Sequence, residues 1–298
     1  MRNKMKQPLV SIVMTAYNAA EFVAEAIESI QAQTYINWEL VIVNDGSTDN
    51  TLKILSNFSK NDVRIRLINC RTNRGASIAS NLGLSKVRGS FVARMDSDDI
   101  ATSDRIAKQV EFLQKNPDVI VVGGQCELID RKGNTIGMKN FPTKHIDIYE
   151  ALYQYNPIQH PSLMINAKLL GLQKITYHTK VLLAHDLEIL FKLAQYGRLA
   201  NLSDTILKYR IHSDSLSLRD PKKTFRHTLA VRKLAKIDYG YIPSKKGMLI
   251  HTLQRMIMTI LPSVVVYPLF RMIRMRRVIE FKSKLAYTST LLTALITR

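Results

Sequence analysis

The sequence predicts an α/β fold: a mostly parallel sheet with flanking helices, followed by a basic, mainly helical C-terminal extension. Three observations carry that expectation. Short apolar runs rich in β-branched residues alternate with amphipathic stretches through about the first 130 residues, the pattern of strands joined by crossover helices. Those runs lack the polar alternation of a half-exposed strand, so both of their faces need cover. The charge is lopsided: residues 219–298 carry 17 Lys/Arg against 3 Asp/Glu (+14), and residues 1–218 carry 26 against 21 (+5). A chain of 298 residues therefore divides into a catalytic-sized domain, 1–218, and the extension, 219–298.

Taken in order, Leu9–Thr15 (LVSIVMT) is the first covered strand. In the stretch NAAEFVAEAIESIQAQ, Phe22, Ala26, Ile27 and Ile30 repeat at helical period, and Asn18 and Glu21 have capping-box spacing. WELVIVND (Trp38–Asp45) is a second buried strand and STDNTLKILSNFSK a second helix with cap residues at its head. RIRLINC with ASIASNLGLSKV, then SFVARMD with SDRIAKQVEFLQK, supply the third and fourth strand–helix pairs, and DVIVVGG is a fifth strand. Past about residue 130 the alternation lapses. YNPIQHPSLMINAKLL reads as a loop entering a strand, LLAHDLEILFKLAQYGRLA as an amphipathic helix ending near Gly197, and YRIHSDSLS as a polar segment after an apolar run. Cys70 and Cys126, in strand-like contexts without ligand spacing, read as two buried, reduced thiols, which suits a cytosolic setting. The N-terminal MRNKMKQPLVSIVMT runs straight into a patterned strand, so no signal peptide is expected.

Open parallel sheets bind ligands at the carboxyl ends of their strands. Polar residues gather there: Tyr17-Asn18 after the first strand, Asp45-Gly46-Ser47 after the second, Asn73-Arg74-Gly75 after the third, Asp96-Ser97-Asp98 after the fourth. The glycine patterns of a dinucleotide site and of a P-loop are both missing, as is a nucleophile elbow, so covalent catalysis has no candidate. A chain of net charge +19 nevertheless crowds Asp96, Asp98 and Asp99 at one strand end. Repulsion among them calls for a helix N-terminus or for a cation. An Asp-x-Asp beside three other polar strand ends favours a hard cation, Mn²⁺ or Mg²⁺, which takes one or two carboxylates and completes its shell with substrate phosphate and water. Asp45 suits either a base edge or an Asx-turn, and Arg74 either a phosphate or base contact or plain solvent. Asp186, beside the apolar stripe Leu182, Leu183, Leu187, Ile189, Leu190 and Leu193, is either a general base at a cleft or a solvated acid. His212 is either a metal or phosphate ligand or an ordinary surface or core histidine.

With these pieces assembled, the chain resembles a family-2 glycosyltransferase of the GT-A fold, inverting and of the bacterial cell-surface polysaccharide type. The resemblance covers residues 8 to about 218. It is carried by PLVSIVMTAYNAAEFVAEAIESIQAQTYINWELVIVNDGSTDNT, NRGASIASNLGL, FVARMDSDDI, HPSLMI, AHDLEILFKLAQYG and YRIHSDSLS, in that order. It implies that Thr15, Ala16 and Tyr17 line the nucleotide pocket, that Asp45 reads the base, usually uracil, and that Arg74 lies near base or diphosphate. It likewise implies that Asp96 contacts ribose or metal, that Asp98 ligates the cation, that His212 reaches the metal–diphosphate, that the loop at His160–Ser162 shapes the sugar and acceptor side, and that Asp186 is the base. Family frequency makes the donor a UDP-linked hexose or N-acetylhexosamine. Two departures stand out: His185-Asp186 where the family often writes Glu-Asp, and Asn44-Asp45 in place of a paired Asp-Asp. The implied reaction is one displacement, with Asp186 deprotonating an acceptor hydroxyl that attacks the anomeric carbon.

Between Arg255 and Arg271 lie 15 uncharged, mostly apolar residues broken by Pro262 and Pro268. As a helix they would reach about 22 Å, short of the roughly 30 Å hydrocarbon core, so a membrane span is not expected. Their basic flanks suggest that residues 245–284 lie against an anionic membrane surface, placing the chain in the cytoplasm, peripheral to the inner face of the cytoplasmic membrane. The bland alternative is a helical subdomain packed on the core. A lipid-linked glycan acceptor would suit the membrane reading. Two competing functions are a sugar-nucleotide nucleotidyltransferase, which normally carries a Gly-rich basic loop missing from TAYNAAEF, and a non-enzymatic basic module. Aromatics among the basic residues are sparse, so nucleic acid is not an expected partner.

Overall fold

The computed structural model describes residues 7–179, 183–212 and 221–261. Among them, β1 (Val10–Ala16), β2 (Trp38–Asp45), β3 (Ile65–Cys70) and β4 (Phe91–Asp96) form a parallel array in the order β3-β2-β1-β4. These are the four apolar runs of the N-terminal half. The sheet continues through β8 (Met164–Asn166), which runs antiparallel between β4 and β6 (Val119–Ile129), then through β9 (Arg198–Arg210), parallel to β6. Two short strands complete it: β5 (Ile100–Ala101) on β9 and β7 (Thr135–Lys139) as a hairpin with β6.

Helices α1 (Val23–Gln31), α2 (Thr51–Asn61), α3 (Ala76–Leu84), α4 (Arg105–Lys115), α5 (His145–Ala151) and α6 (His185–Leu193) cover the two faces. Ile12 and Met14 of β1 belong to the apolar layer that includes Ile27 and Ile106, while Val13 joins the opposite layer with Leu187 and Leu190. That alternation explains why β1 has no polar face: each successive side chain enters a different core.

Several local expectations change. Helix α1 starts at Val23, with no side-chain cap at its head. Asn18 instead adopts a left-handed conformation (φ 48°), and its Oδ1 accepts from the Thr48 amide, tying the turn after β1 to the turn after β2. Helix α6 stops at Leu193, because the residues following Gly197 pair as β9 beside β6. Leu187, Ile189, Leu190 and Leu193 are buried as the stripe predicts, Leu183 is half-buried, and Leu182 lies outside the described residues. Both cysteines are free; Cys126 is buried but Cys70, at the end of β3, is half-exposed.

Within the extension, α7 (Pro221–Asp238) and α8 (Lys245–Ile260) pack on the sheet domain. Val231, Ala235 and Tyr241 enter the same apolar layer as Phe191. Arg232, 1% exposed, donates to the Gln154 carbonyl at 2.9 Å and to Gln254 Oε1 at 2.9 Å. Among the described residues no helix is long and apolar enough to cross a membrane. Residues 262–284 of the segment expected at the membrane, and 213–217 of the polar segment after β9, lie outside the described residues.

Candidate active site

The strand order reverses between β1 and β4, the switch point at which an open parallel sheet leaves a crevice. Register places Thr15 opposite Asp96 across that boundary. Ala16 is buried, whereas Tyr17, just past the end of β1, is 49% exposed. One strand further out, Asp45 is 3% exposed and accepts two amide hydrogen bonds, Arg74 N–H to Oδ1 and Gly75 N–H to Oδ2, both 2.9 Å. Asp45 thus anchors the loop after β3, and the Arg74 side chain is exposed. Close approach of the two loops requires Gly46: its φ is +71°, and a Cβ there would lie 2.4 Å from the Thr72 carbonyl carbon.

At the carboxyl end of β4, Asp96, Asp98 and Asp99 bring carboxylate oxygens within 4.8 Å of one another. His212 closes on them from the end of β9, its Nε2 3.0 Å from Asp98 Oδ2. Arg210 organises the same corner: its amide donates to Asp99 Oδ1 at 2.9 Å, its Nε donates to the Asp98 carbonyl at 2.8 Å, and its guanidinium pairs with Glu25. Burial, then Asp98, then Asp186 push the Asp96 carboxyl up to about 6 against the pull of Arg94 and Arg105. Burial and the same crowding drive Asp99 well above the ordinary range, and its Oδ2 is buried with no hydrogen-bond partner among the described residues.

Asp186, at the head of α6, is close enough to Asp96 to act on its ionisation. Its Oδ2 accepts from Asn156 Nδ2 at 2.9 Å and its Oδ1 from the Leu187 amide at 2.9 Å. Beside it, buried His160 lies with its Nε2 2.7 Å from the Tyr177 hydroxyl. Burial, Arg94 and His185 hold the His160 ring well below the ordinary histidine range, hence neutral. The His185 ring meets His160 and Tyr177 edge-on, with centroids 5.5 and 5.7 Å away. His160, Tyr177 and His185 thus form a wall of three rings.

Asp96, Asp98, Asp186, His160 and His212 thus lie near one another with Thr15 beside Asp96, while Asp45 stands one strand beyond Thr15 and two beyond Asp96, about 10 Å from the latter at ordinary strand spacing. Sequence reasoning left four participants out of the site. Asp99 stands in the sequence as the third acid of the crowded strand end, but the Asp-x-Asp pattern assigns ligand roles only to Asp96 and Asp98. Asn156 carried only the weak signal of an Asn-Pro turn, and Tyr177 and Arg94 carried none. Arg94 is 1% exposed, and its Nε and one terminal nitrogen have no hydrogen-bond partner among the described residues.

The chain is similar to known proteins in sequence and in fold. Residues 11–169 match the model of glycosyl transferase family 2. The chain is 37% identical over 218 residues to an uncharacterized glycosyltransferase of Haemophilus influenzae, covering 70% of this chain and 68% of that protein. It is 31% identical over 247 residues to EpsE of Bacillus subtilis, itself named as a glycosyltransferase, covering 79% and 87%. In three dimensions it is similar to residues 1–349 of S. aureus TarS in complex with UDP-GlcNAc (TM-score 0.62, 18% identity, 83% of this chain and 72% of that one). It is also similar to the mannosyltransferase PcManGT of Pyrobaculum calidifontis in complex with GDP-Man and Mn²⁺ (TM-score 0.57, 18% identity, 96% and 84%). The solved structures share the GT-A sheet, and the family match spans the crevice from β1 to β8. This chain belongs to glycosyltransferase family 2.

Proposed function

We propose that the chain is an inverting transferase. It moves a hexose or N-acetylhexosamine from a UDP-sugar to a hydroxyl of a glycan or lipid-linked glycan, in cell-surface polysaccharide synthesis at the cytoplasmic face of the membrane. The observation that carries this reading is the convergence of Asp96, Asp98, Asp99, Asp186 and His212, drawn from three distant stretches, at one strand edge. A nucleotide-sugar donor is supported by the two fold neighbours, which were solved with UDP-GlcNAc and with GDP-Man.

The acidic cluster fits a divalent cation. It offers hard oxygen donors in close reach, and one of them, Asp99 Oδ2, is buried with no hydrogen-bond partner among the described residues. Asp98 and Asp96, with His212 beside them, are the residues that would hold Mn²⁺ or Mg²⁺. Bound there, such an ion neutralises charge on the departing diphosphate. Tyr17 offers an exposed ring for a base to stack on. The Asp45 oxygens, each with one amide bond, retain a lone pair for the base edge. Asp186 takes the proton of the acceptor hydroxyl on its carboxylate, with Asn156 fixing its orientation. The wall of His160, Tyr177 and His185 walls off water and orients the sugar. Screening sugar nucleotides for metal-dependent UDP release, with and without lipid-extract acceptors, tests the reading. Release with one donor, stimulated by acceptor, is expected; no turnover with any donor in Mn²⁺ or Mg²⁺ would refute it.

A further inference from the structure

Helix α8 has two faces of opposite character. Its inner face lies on the sheet domain: Gly247 is buried against Tyr153, and His251 and Gln254 accept hydrogen bonds from Arg232. Its outer face carries Leu249, Leu253, Met256, Ile257 and Ile260, which are 44% to 71% exposed. Their spacing places all five within about 100° of helix circumference. Single exposed apolar residues are ordinary, but a contiguous stripe of this kind marks a contact surface. The stripe falls within residues 245–284, expected from the sequence to lie against an anionic membrane surface, and it begins at Leu249, ahead of the apolar run Met256–Phe270.

Charge selects the occupant. Residues 221–261 carry nine Lys/Arg against one acid, Asp238, for +8. Lys245 and Lys246 head α8, in line with the stripe at its amino end. A second copy of the chain would bring the same positive field against itself. Residues 262–298, with seven Lys/Arg against one Glu, would do the same. An anionic bilayer supplies both things the helix lacks, an apolar layer for the stripe and negative charge for its margin. The geometry points to α8 as a membrane-docking helix, lying in the headgroup plane with Leu249, Leu253, Met256, Ile257 and Ile260 turned into the acyl boundary of an anionic leaflet. The inference rests on the proposed function only in choosing a membrane as the anionic surface, and its vesicle-binding test needs no donor.

The full chain is sedimented with vesicles of phosphatidylcholine alone and of phosphatidylcholine mixed with phosphatidylglycerol. Binding to the mixed vesicles is expected to exceed binding to the neutral ones and to fall with added salt. Leu253→Glu/Ile257→Glu is expected to weaken it about a hundredfold, since each buried aliphatic side chain contributes about tenfold or more. Lys245→Glu/Lys246→Glu is expected to weaken it about fivefold or more per charge. Both variants should keep the wild-type rate of donor hydrolysis. An environment-sensitive dye at Leu253→Cys, in a Cys70→Ser background, provides a readout that does not depend on the acidic variant folding. Its emission should shift to the blue only when anionic vesicles are added. A dye already shifted in their absence would mean that residues 262–298 or a second copy covers the stripe, and would overturn the inference. Equal binding to both vesicle types, or wild-type binding by the double variants, would overturn it too. Loss of turnover with vesicle binding intact would count against the proposed function and leave this inference standing.

Discussion

Asp186 is held at both oxygens, by Asn156 Nδ2 and by the Leu187 amide, in an orientation that leaves room for one incoming proton. Asp186→Asn keeps the size and most of these contacts but cannot accept that proton. Its kcat should fall by about 10²–10⁴-fold while UDP affinity stays at the wild-type value; stopped transfer assays beside UDP titrations check this. Asn156→Ala frees the carboxylate without removing it, so a smaller fall in kcat with unchanged UDP affinity is expected from the same assays. In the sequence, Asp96 and Asp98 stand out as an Asp-x-Asp at the end of an apolar strand, whereas Asp186 is singled out only by the resemblance. Asn156, Tyr177 and Arg94 were not legible, because their roles come from tertiary neighbours distant in the chain. Asn18 shows the same limit in reverse: its spacing to Glu21 spells a cap, yet its side chain serves a neighbouring loop.

At the scale of elements, the helix carrying Asp186 is braced from the extension. Glu188, fully buried on α6, accepts the Tyr239 hydroxyl and, at 3.2 Å, the His178 amide. Arg232 and Gln254 both bond the Gln154 carbonyl, two residues from Asn156. The extension therefore packs on both segments that position Asp186. Tyr239→Phe leaves the Glu188 carboxylate with one donor fewer in a buried site. That should cost about 1–3 kcal/mol of stability and lower kcat more than donor KM, as read by thermal melting and steady-state kinetics. The sequence pattern found the parallel array of β1 to β4 because each strand is apolar on both faces. It overran α6 and missed β5, where two residues pair with β9 and periodicity has nothing to count.

For the whole molecule, two titrations of opposite sign set the pH response. At the amino ends of the strands, burial would raise the Glu39 carboxyl. The Arg88 hydrogen bonds and the Ser11 hydroxyl outweigh burial and hold it below its ordinary value. Its contribution is present above the unfolded carboxylate range and is lost as pH falls through the depressed folded value; Glu39→Gln should flatten that acid limb of the melting curve. At the carboxyl ends, Asp96 is raised to about 6. The metal-free fold therefore binds that proton more tightly than the unfolded chain does, and loses the associated stability as pH rises from the ordinary carboxylate value through about 6. A cation at this corner competes with the same proton, so the melting-temperature rise caused by Mn²⁺ should be larger above about pH 7 than below about pH 5. The grouping of Asp96, Asp98, Asp99 and His212 as a cation-holding corner is what the proposed chemistry depends on, and Mn²⁺ binding in the presence of UDP tests it most directly. Calorimetric titration should give saturable binding to the wild-type chain, weakened at least about tenfold in Asp98→Asn. Wild-type binding retained in Asp96→Asn, Asp98→Asn and Asp99→Asn alike would contradict it.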